Sequence, residues 1–126
     1  QPPAIVCRPR SLANICFLAP TSSNARIKTI SKVTKGFIYY VSLTGVTGGR
    51  KTMAADLKTN LARIKKVTNK PVCVGFGISN PGQVRQVKRI ADGVIIGSAI
   101  VEKIRENIGR RNLVQTVGNF AQRLNV

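Results

Sequence analysis

Four short apolar segments, each followed by a stretch with helical periodicity, constrain the fold of this chain most strongly. The segments lie at residues 12–18, 37–42, 71–76 and 92–96, and a further helical stretch ends the chain. Their apolar residues are continuous and do not alternate with polar ones, which is typical of parallel strands covered by helices. The pattern predicts an α/β fold with four βα units and one additional helix.

The helical stretches carry apolar rows and residues that favour helix ends. Residues 21–24 offer N-caps for the first helix, and Gly36 ends it. Asn80 can cap the third helix with Pro81 at its first position, and Ser98 is predicted to cap the fourth. The predicted apolar rows are Ile27, Ile30 and Val33; Leu57, Leu61 and Ile64; Val84, Val87 and Ile90; Val101, Ile104 and Ile108; and Leu113, Val117, Phe120 and Leu124.

The length of 126 residues fits one domain. Residues 1–11 contain three prolines and no periodic pattern, so they are predicted to form an irregular arm or connector before a domain at residues 12–126. The first residue is Gln1, which is consistent with a processed product or part of a longer chain. No apolar run reaches the roughly 20 residues that cross a bilayer, and no signal peptide is visible, so a membrane partner is not expected.

The charge of the chain is far from balanced. It contains 21 Lys and Arg residues against 4 Asp and Glu residues, a net charge of +17. Because such a charge repels itself in a compact state, it indicates either a polyanionic partner such as RNA or an acidic protein surface. The ordinary alternative is a solvated basic surface, and the basic residues are dispersed without the aromatic pattern of an RNA-binding motif.

Cysteine usage favours an intracellular, reducing compartment, either the cytoplasm or an organelle interior. The three cysteines have no C-x-x-C spacing and the chain has no His, so no metal site is predicted. Cys16 and Cys73 lie in apolar segments and are predicted to be buried and reduced.

Glycine-bearing segments follow the last three predicted strands, at residues 45–49, 75–79 and 97–98. Sites in parallel α/β folds form at this end of the strands, where glycine lets the backbone approach an anion and helix N–H groups point at it. Gly77, Gly97 and Ser98 are therefore predicted to bind phosphate. Tight turns and simple helix capping are the alternative explanation.

No catalytic residue is predicted, because none of the four carboxylates follows a strand. Asp56 is placed in the first turn of a helix, where it favours the helix dipole. Asp92 is placed at the beginning of a strand, and Glu102 and Glu106 are placed on an exposed helix face.

Four motifs together resemble the tryptophan synthase alpha subunit family. They are FLAPTSSNARIKTI at residues 17–30, GFIYYVSLTGVTGGR at 36–50, PVCVGFGIS at 71–79 and ADGVIIGSAIV at 91–101. The resemblance runs from about Leu12 to the C-terminus. It implies the C-terminal (βα)4 half, strands five to eight, of a TIM (βα)8 barrel.

The resemblance implies a reaction and a site. The family cleaves indole-3-glycerol phosphate to indole and glyceraldehyde 3-phosphate and passes indole to a pyridoxal-phosphate beta subunit, so the chain itself is expected to hold no cofactor. The implied phosphate-binding residues are Gly48, Gly77, Gly97 and Ser98, and the implied substrate-pocket residues are Tyr39, Phe76 and Thr47, the last on a mobile loop.

The family's catalytic glutamate and aspartate belong to the barrel half that this sequence does not contain. The chain is thus expected to bind a phosphorylated small molecule without being catalytic alone. The alternative is a repurposed basic module bound to RNA, a ribosome or another large assembly, and a third possibility is an excised half-barrel retained for its fold. Because a half-barrel exposes strand edges and an apolar interior, we expect self-association or a partner chain.

Overall fold

A computed structural model describes residues 12–42, 50–75 and 77–126, with residues 50–54 described by their backbone alone. Its centre is a sheet of four parallel strands in sequence order. The strands are β1 (Phe17–Leu18), β2 (Ile38–Val41), β3 (Val72–Gly75) and β4 (Gly93–Ile95). The expectation of a parallel α/β fold is confirmed.

Helices connect the strands and continue after the last one. They are α1 (Asn24–Val33), α2 (Arg50–Lys65), α3 (Pro81–Lys88), α4 (Ser98–Glu106) and α5 (Leu113–Leu124). Two predicted caps are present: the Ser23 hydroxyl accepts the Arg26 N–H at 3.2 Å, and the Asn80 side chain accepts the Gln83 N–H at 2.9 Å before Pro81. These caps work because a short polar side chain satisfies helix N–H groups that have no partner within the helix.

The helices cover one face of the sheet. In register, Leu18 aligns with Tyr40, and Tyr40 aligns with Val74, and all three side chains are buried. Apolar residues of α1, α2 and α3 pack onto them and complete the core, and these include Ile27, Ile30, Leu61, Ile64, Val84 and Val87. The predicted apolar rows of these three helices therefore face the sheet, as their spacing indicated.

The opposite face of the sheet has no covering layer among the described residues. We call it the open face and define it as Phe17, Tyr39, Val41, Cys73, Gly93 and Ile95, which the parallel register places side by side. Each of these residues is half-buried or exposed, and Phe17 is 60% exposed. Because side chains alternate between the two faces of a strand, covering one face leaves every second residue open.

Polar contacts fasten the end of the sheet where the strands begin. The Lys70 ammonium donates to the carbonyl of Ser31 at 2.7 Å and to that of Thr34, at the C-terminal end of α1. The buried Thr34 hydroxyl in turn accepts the Cys16 N–H at 3.2 Å. A cation at a helix C-terminus satisfies carbonyls without a partner in the helix and favours the helix dipole.

Three predictions about the first strand and the cysteines are wrong in detail. Only Phe17–Leu18 of the predicted segment 12–18 forms a strand, because β1 is an edge strand and only these residues pair with β2. Cys16 and Cys73 are half-buried free thiols and not fully buried, and Cys73 is half-buried because it lies on the open face.

The apolar row of α4 is also placed differently from the prediction. Val101, Ile104 and Ile108 are exposed, and α4 contacts the core through Ile100. Asn107, just after the helix, is buried, and its amide donates to the Lys103 carbonyl at 2.8 Å. Helical spacing identifies a row of apolar residues, but it does not reveal whether another element covers that row.

Asp56 lies in the second turn of α2 and not in the first, because this helix begins at Arg50. Within the described ranges, no helix is long and apolar enough to cross a membrane.

Candidate phosphate site

Two glycine loops meet at the end of the sheet where the strands finish. Gly75 of β3 aligns with Ile95 of β4 as the last pair in the parallel register. Gly77 and Gly97 each follow that pair by two residues, so their loops leave the same edge of the sheet side by side. This edge is where parallel α/β folds place ligands.

The first loop depends on the backbone of Gly77, whose φ is +72°. That left-handed conformation is strained for residues with a Cβ and is readily adopted by glycine. Ile78 follows with a buried side chain that anchors the loop, and Asn80 then begins α3. The positive φ of Gly77 and the buried side chain of Ile78 therefore fix the path of the chain into α3.

The second loop leads directly into α4. Gly97 is the N-cap, and its carbonyl accepts the N–H groups of Ile100 at 3.0 Å and Val101 at 3.1 Å. Ser98 is the first helical residue and is exposed, so the prediction that Ser98 itself caps the helix is wrong. Because Gly97 has no side chain to cap the helix, the amides of Ser98 and Ala99 face outward with the positive end of the helix dipole.

The Tyr39 ring lies beside Gly75, the last residue of β3. Its phenol lies over Gly75, where an added Cβ would be 2.7 Å from the Tyr39 Cζ atom. Its ring also packs on Phe17, with 4.9 Å between the ring centroids and 54° between the planes. The sequence did not predict this contact of Phe17 with Tyr39, because it follows from the strand register, which aligns the two residues.

Three of the four carboxylates are engaged in ion pairs within the chain. Asp92 lies where β4 begins; its ion pair with Lys65 and its hydrogen bond from the Val72 N–H hold its pKa below the ordinary 3.8. Glu102 and Glu106 form exposed ion pairs within α4, with Arg105 and Lys103. Among the residues that the structure describes, no three Cys, Asp or Glu side chains lie together as a metal site would require.

The structure thus brings together Gly77, Gly97, Ser98 and Tyr39 of the predicted site. The other predicted site residues, Gly48, Thr47 and Phe76, lie outside the described residues.

Comparison with known proteins gives one consistent result. Residues 4–125 match the family model for the tryptophan synthase alpha chain. The tryptophan synthase alpha chain of Opitutus terrae is 50% identical over 103 residues, which are 82% of this chain and 39% of the relative. That of Geobacter sulfurreducens is 44% identical over 119 residues, which are 94% of this chain and 45% of the relative.

Solved structures agree with the sequence matches. The tryptophan synthase alpha chain of Legionella pneumophila superposes with a TM-score of 0.81 at 30% identity, covering 96% of this chain and 44% of that one. A chain from the tryptophan synthase a2b2 complex of Pyrococcus furiosus superposes with a TM-score of 0.77 at 32% identity, covering 98% of this chain and 50% of that one. This chain spans half or less of the length of these relatives.

Proposed function

The chain belongs to the tryptophan synthase alpha chain family, and on that premise we propose that it is a phosphate-binding half-barrel. In this proposal residues 12–126 are the C-terminal (βα)4 half, strands five to eight, of the family's TIM barrel. Gly77, Gly97 and Ser98, together with Gly48, hold the phosphate of indole-3-glycerol phosphate. Tyr39, Phe76 and Thr47 line the rest of the pocket.

One observation carries this proposal: the pairing of Gly75 with Ile95 brings two glycine loops to the same edge of the sheet. One of these loops opens directly into the N-terminus of α4, without a capping side chain. Backbone N–H groups and a helix dipole then point toward the same space, and both favour a dianionic phosphate over a neutral ligand.

Titration with glycerol phosphate, followed by phosphorus NMR or calorimetry, tests the site. We expect saturable binding by the unmodified chain and a loss of about tenfold or more in Ser98→Asp, because a carboxylate repels phosphate while suiting a helix N-terminus. Asn112→Asp is the matched control, since it changes the charge equally at the cap of α5. α4 is nine residues, or about 13 Å, long, and Asn112 follows its far end.

Equal weakening in both variants would mean that the net charge of the chain, and not a site, attracts the ligand. Unchanged binding in Ser98→Asp would remove α4 from the proposal.

The chain alone is proposed not to cleave its ligand. The described carboxylates lie at the beginning of β4 or on helices, and the family's catalytic pair belongs to the other half of the barrel. Turnover therefore needs that half in place, and the a2b2 assembly of the Pyrococcus furiosus protein suggests a beta subunit as a further partner. Indole released from indole-3-glycerol phosphate by this chain alone would contradict the proposal.

The charge of the chain supports a second candidate, a basic module bound to RNA or a similar polyanion. Three of the four carboxylates are already engaged in ion pairs within the chain, and the net charge is +17. Few internal partners therefore remain for the other basic side chains. RNA affinity that falls steeply and linearly on a log–log plot against salt would support this candidate, and no binding at low salt would exclude it.

A further inference from the structure

We propose that the end of the sheet where the strands begin is a docking surface for the phosphate backbone of RNA, independent of base sequence. The inference rests on the second candidate function above and gives that candidate a place in the structure. Basic side chains lie there at the C-terminal ends of α1, α2 and α3 and in the residues that follow each helix. We call this group the basic cluster and define it as Lys32, Lys35, Lys65, Lys66, Lys70, Lys88 and Arg89.

Hydrogen bonds join these helix ends into one surface. The Lys70 ammonium donates to two carbonyls at the C-terminal end of α1. Lys65, the last residue of α2, donates to the Lys70 carbonyl at 3.2 Å and forms an ion pair with Asp92. Asp92 in turn follows Arg89, at the end of α3, by three residues. The ends of the three helices are therefore linked by contacts, and their cations form a continuous group.

Helix dipoles do not account for this number of cations. A helix C-terminus carries roughly −0.5 of an elementary charge, so one cation at each end is sufficient. The basic cluster has seven cations for three helix ends, and Asp92 is the one carboxylate that pairs with a member of it among the described ion pairs. Two of the other carboxylates are held by basic residues of α4. The cluster thus keeps a surplus of about four positive charges, which attracts a polyanion.

The composition of the cluster favours RNA over an acidic protein. Six of its seven members are lysines, and all except Lys70 are exposed. Lysine is depleted in interfaces between proteins, whereas it binds phosphate well as a point charge. The segments that carry the cluster, residues 31–35, 65–70 and 85–92, contain no aromatic side chain on which a base could stack. The contact is therefore made to phosphates and does not depend on the bases.

The basic cluster and the glycine loops lie at opposite ends of the sheet. The cluster surrounds the beginning of the strands, whereas Gly77 and Gly97 follow their ends. Strands of three or four residues separate the two by about 10–13 Å. RNA on the cluster is therefore expected to leave the loops accessible to a small phosphate compound.

Fluorescence anisotropy of a labelled polyuridine strand, measured with the full chain over a salt series, tests the proposal. The cluster variant combines Lys35→Gln, Lys66→Gln and Arg89→Gln, one exposed cation from each helix end. We expect its Kd for the strand to rise about tenfold or more and its log–log salt slope to fall by about 2, because three phosphate contacts are lost. Lys65 and Lys70 stay unmodified because they fasten the fold.

The control variant combines Arg26→Gln, Lys28→Gln and Lys58→Gln. It removes the same three charges, one arginine and two lysines, from exposed positions earlier in α1 and α2. We expect its Kd to stay within about threefold of that of the unmodified chain, because only the net charge changes. Circular dichroism checks that both variants keep their helices.

The outcomes separate this inference from the function on which it rests. Absence of RNA binding at low salt would exclude the second candidate and the inference together. Binding that the two variants weaken equally would keep the candidate and overturn the location. Displacement of the strand by glycerol phosphate, or tighter binding of polyglutamate than of polyuridine of equal charge, would also overturn the proposal.

Discussion

Two hydrogen bonds join Val72 and Asp92 where β3 and β4 begin. The Asp92 carboxylate accepts the Val72 N–H at 2.8 Å, and the Asp92 N–H donates to the Val72 carbonyl at 3.0 Å. The same carboxylate forms an ion pair with Lys65 at the end of α2. One side chain thus joins two strands and a helix.

Asp92→Asn is expected to reduce the free energy of unfolding by about 1 kcal/mol near neutral pH, since the carboxylate is partly exposed and solvent screens the ion pair. The pKa of Asp92 is lowered in the folded chain. The carboxylate therefore contributes its full stabilisation at pH values above the ordinary pKa of 3.8, and this stabilisation is lost as pH falls through the lowered pKa. Urea unfolding of both proteins over a pH series measures this difference. Glu106→Gln, which removes an equal charge from an exposed pair, should cost less, and an equal cost would contradict the role of Asp92.

Ionisation of the buried Tyr40 is expected to destabilise the chain at alkaline pH. Burial raises its pKa from 10.0 to about 12, partly offset by the nearby charge of Arg63. Because the pKa of Tyr40 in the folded state exceeds its unfolded value, the stabilisation from the buried neutral phenol is complete below pH 10 and is lost as pH rises toward 12. The unfolding free energy should therefore fall by up to about 3 kcal/mol more than in Tyr40→Phe.

Phenolate absorbance of a Tyr39→Phe variant reports Tyr40 alone, because the chain has two tyrosines. A midpoint at the ordinary value of 10.0 would show that Tyr40 is accessible to water in the folded chain.

Gly75→Ala is expected to destabilise the chain by about 1–3 kcal/mol, because the new Cβ would lie 2.7 Å from the Tyr39 Cζ atom and 2.9 Å from Cε1. Tyr39→Ala removes the obstructing ring, so the double variant should lose less than the sum of the single variants. Gly97→Ala is the matched control, because nothing lies within 4 Å of its added Cβ. Additive losses in the double-mutant cycle would show that the ring does not oppose the methyl group.

Lys70→Met is expected to cost about 1–2 kcal/mol, because two carbonyls at the end of α1 lose a charged donor. Met preserves most of the apolar length of the side chain, so the change isolates the ammonium. Lys66→Met, at an exposed position on the same connection, is expected to change stability by less than about 0.5 kcal/mol. Thermal unfolding of the two variants compares them directly, and equal losses would assign the effect to net charge.

Local signals predicted much of this fold. The Ser23 and Asn80 caps and the apolar rows of α1 and α3 depend on residues within about one helical turn, so the sequence alone reveals them. The turn at Gly97 was predicted for the same reason, because a strand, a glycine and a helix follow one another directly.

The sequence could not predict which apolar residues are buried, because burial depends on the element that packs over them. Val101 and Ile108 have the spacing of a packing face but are exposed, and Cys73 lies in an apolar segment but faces the uncovered side of the sheet. An apolar pattern is the same whether the covering element belongs to this chain or to another one. The contact of Tyr39 with Gly75 likewise required the register, which links positions far apart in the sequence.

The polar contacts of Asp92 and Lys70 lie where the strands begin, whereas the glycine loops lie where the strands end. The strands between them span about 10–13 Å, so the two ends share few contacts. We therefore expect the turns after β3 and β4 to tolerate changes of length and composition, because the contacts that hold the helices lie at the other end of the strands. A chain of this kind is suited to protein engineering as a base for new ligand specificities, with the turns after β3 and β4 as the exchangeable part.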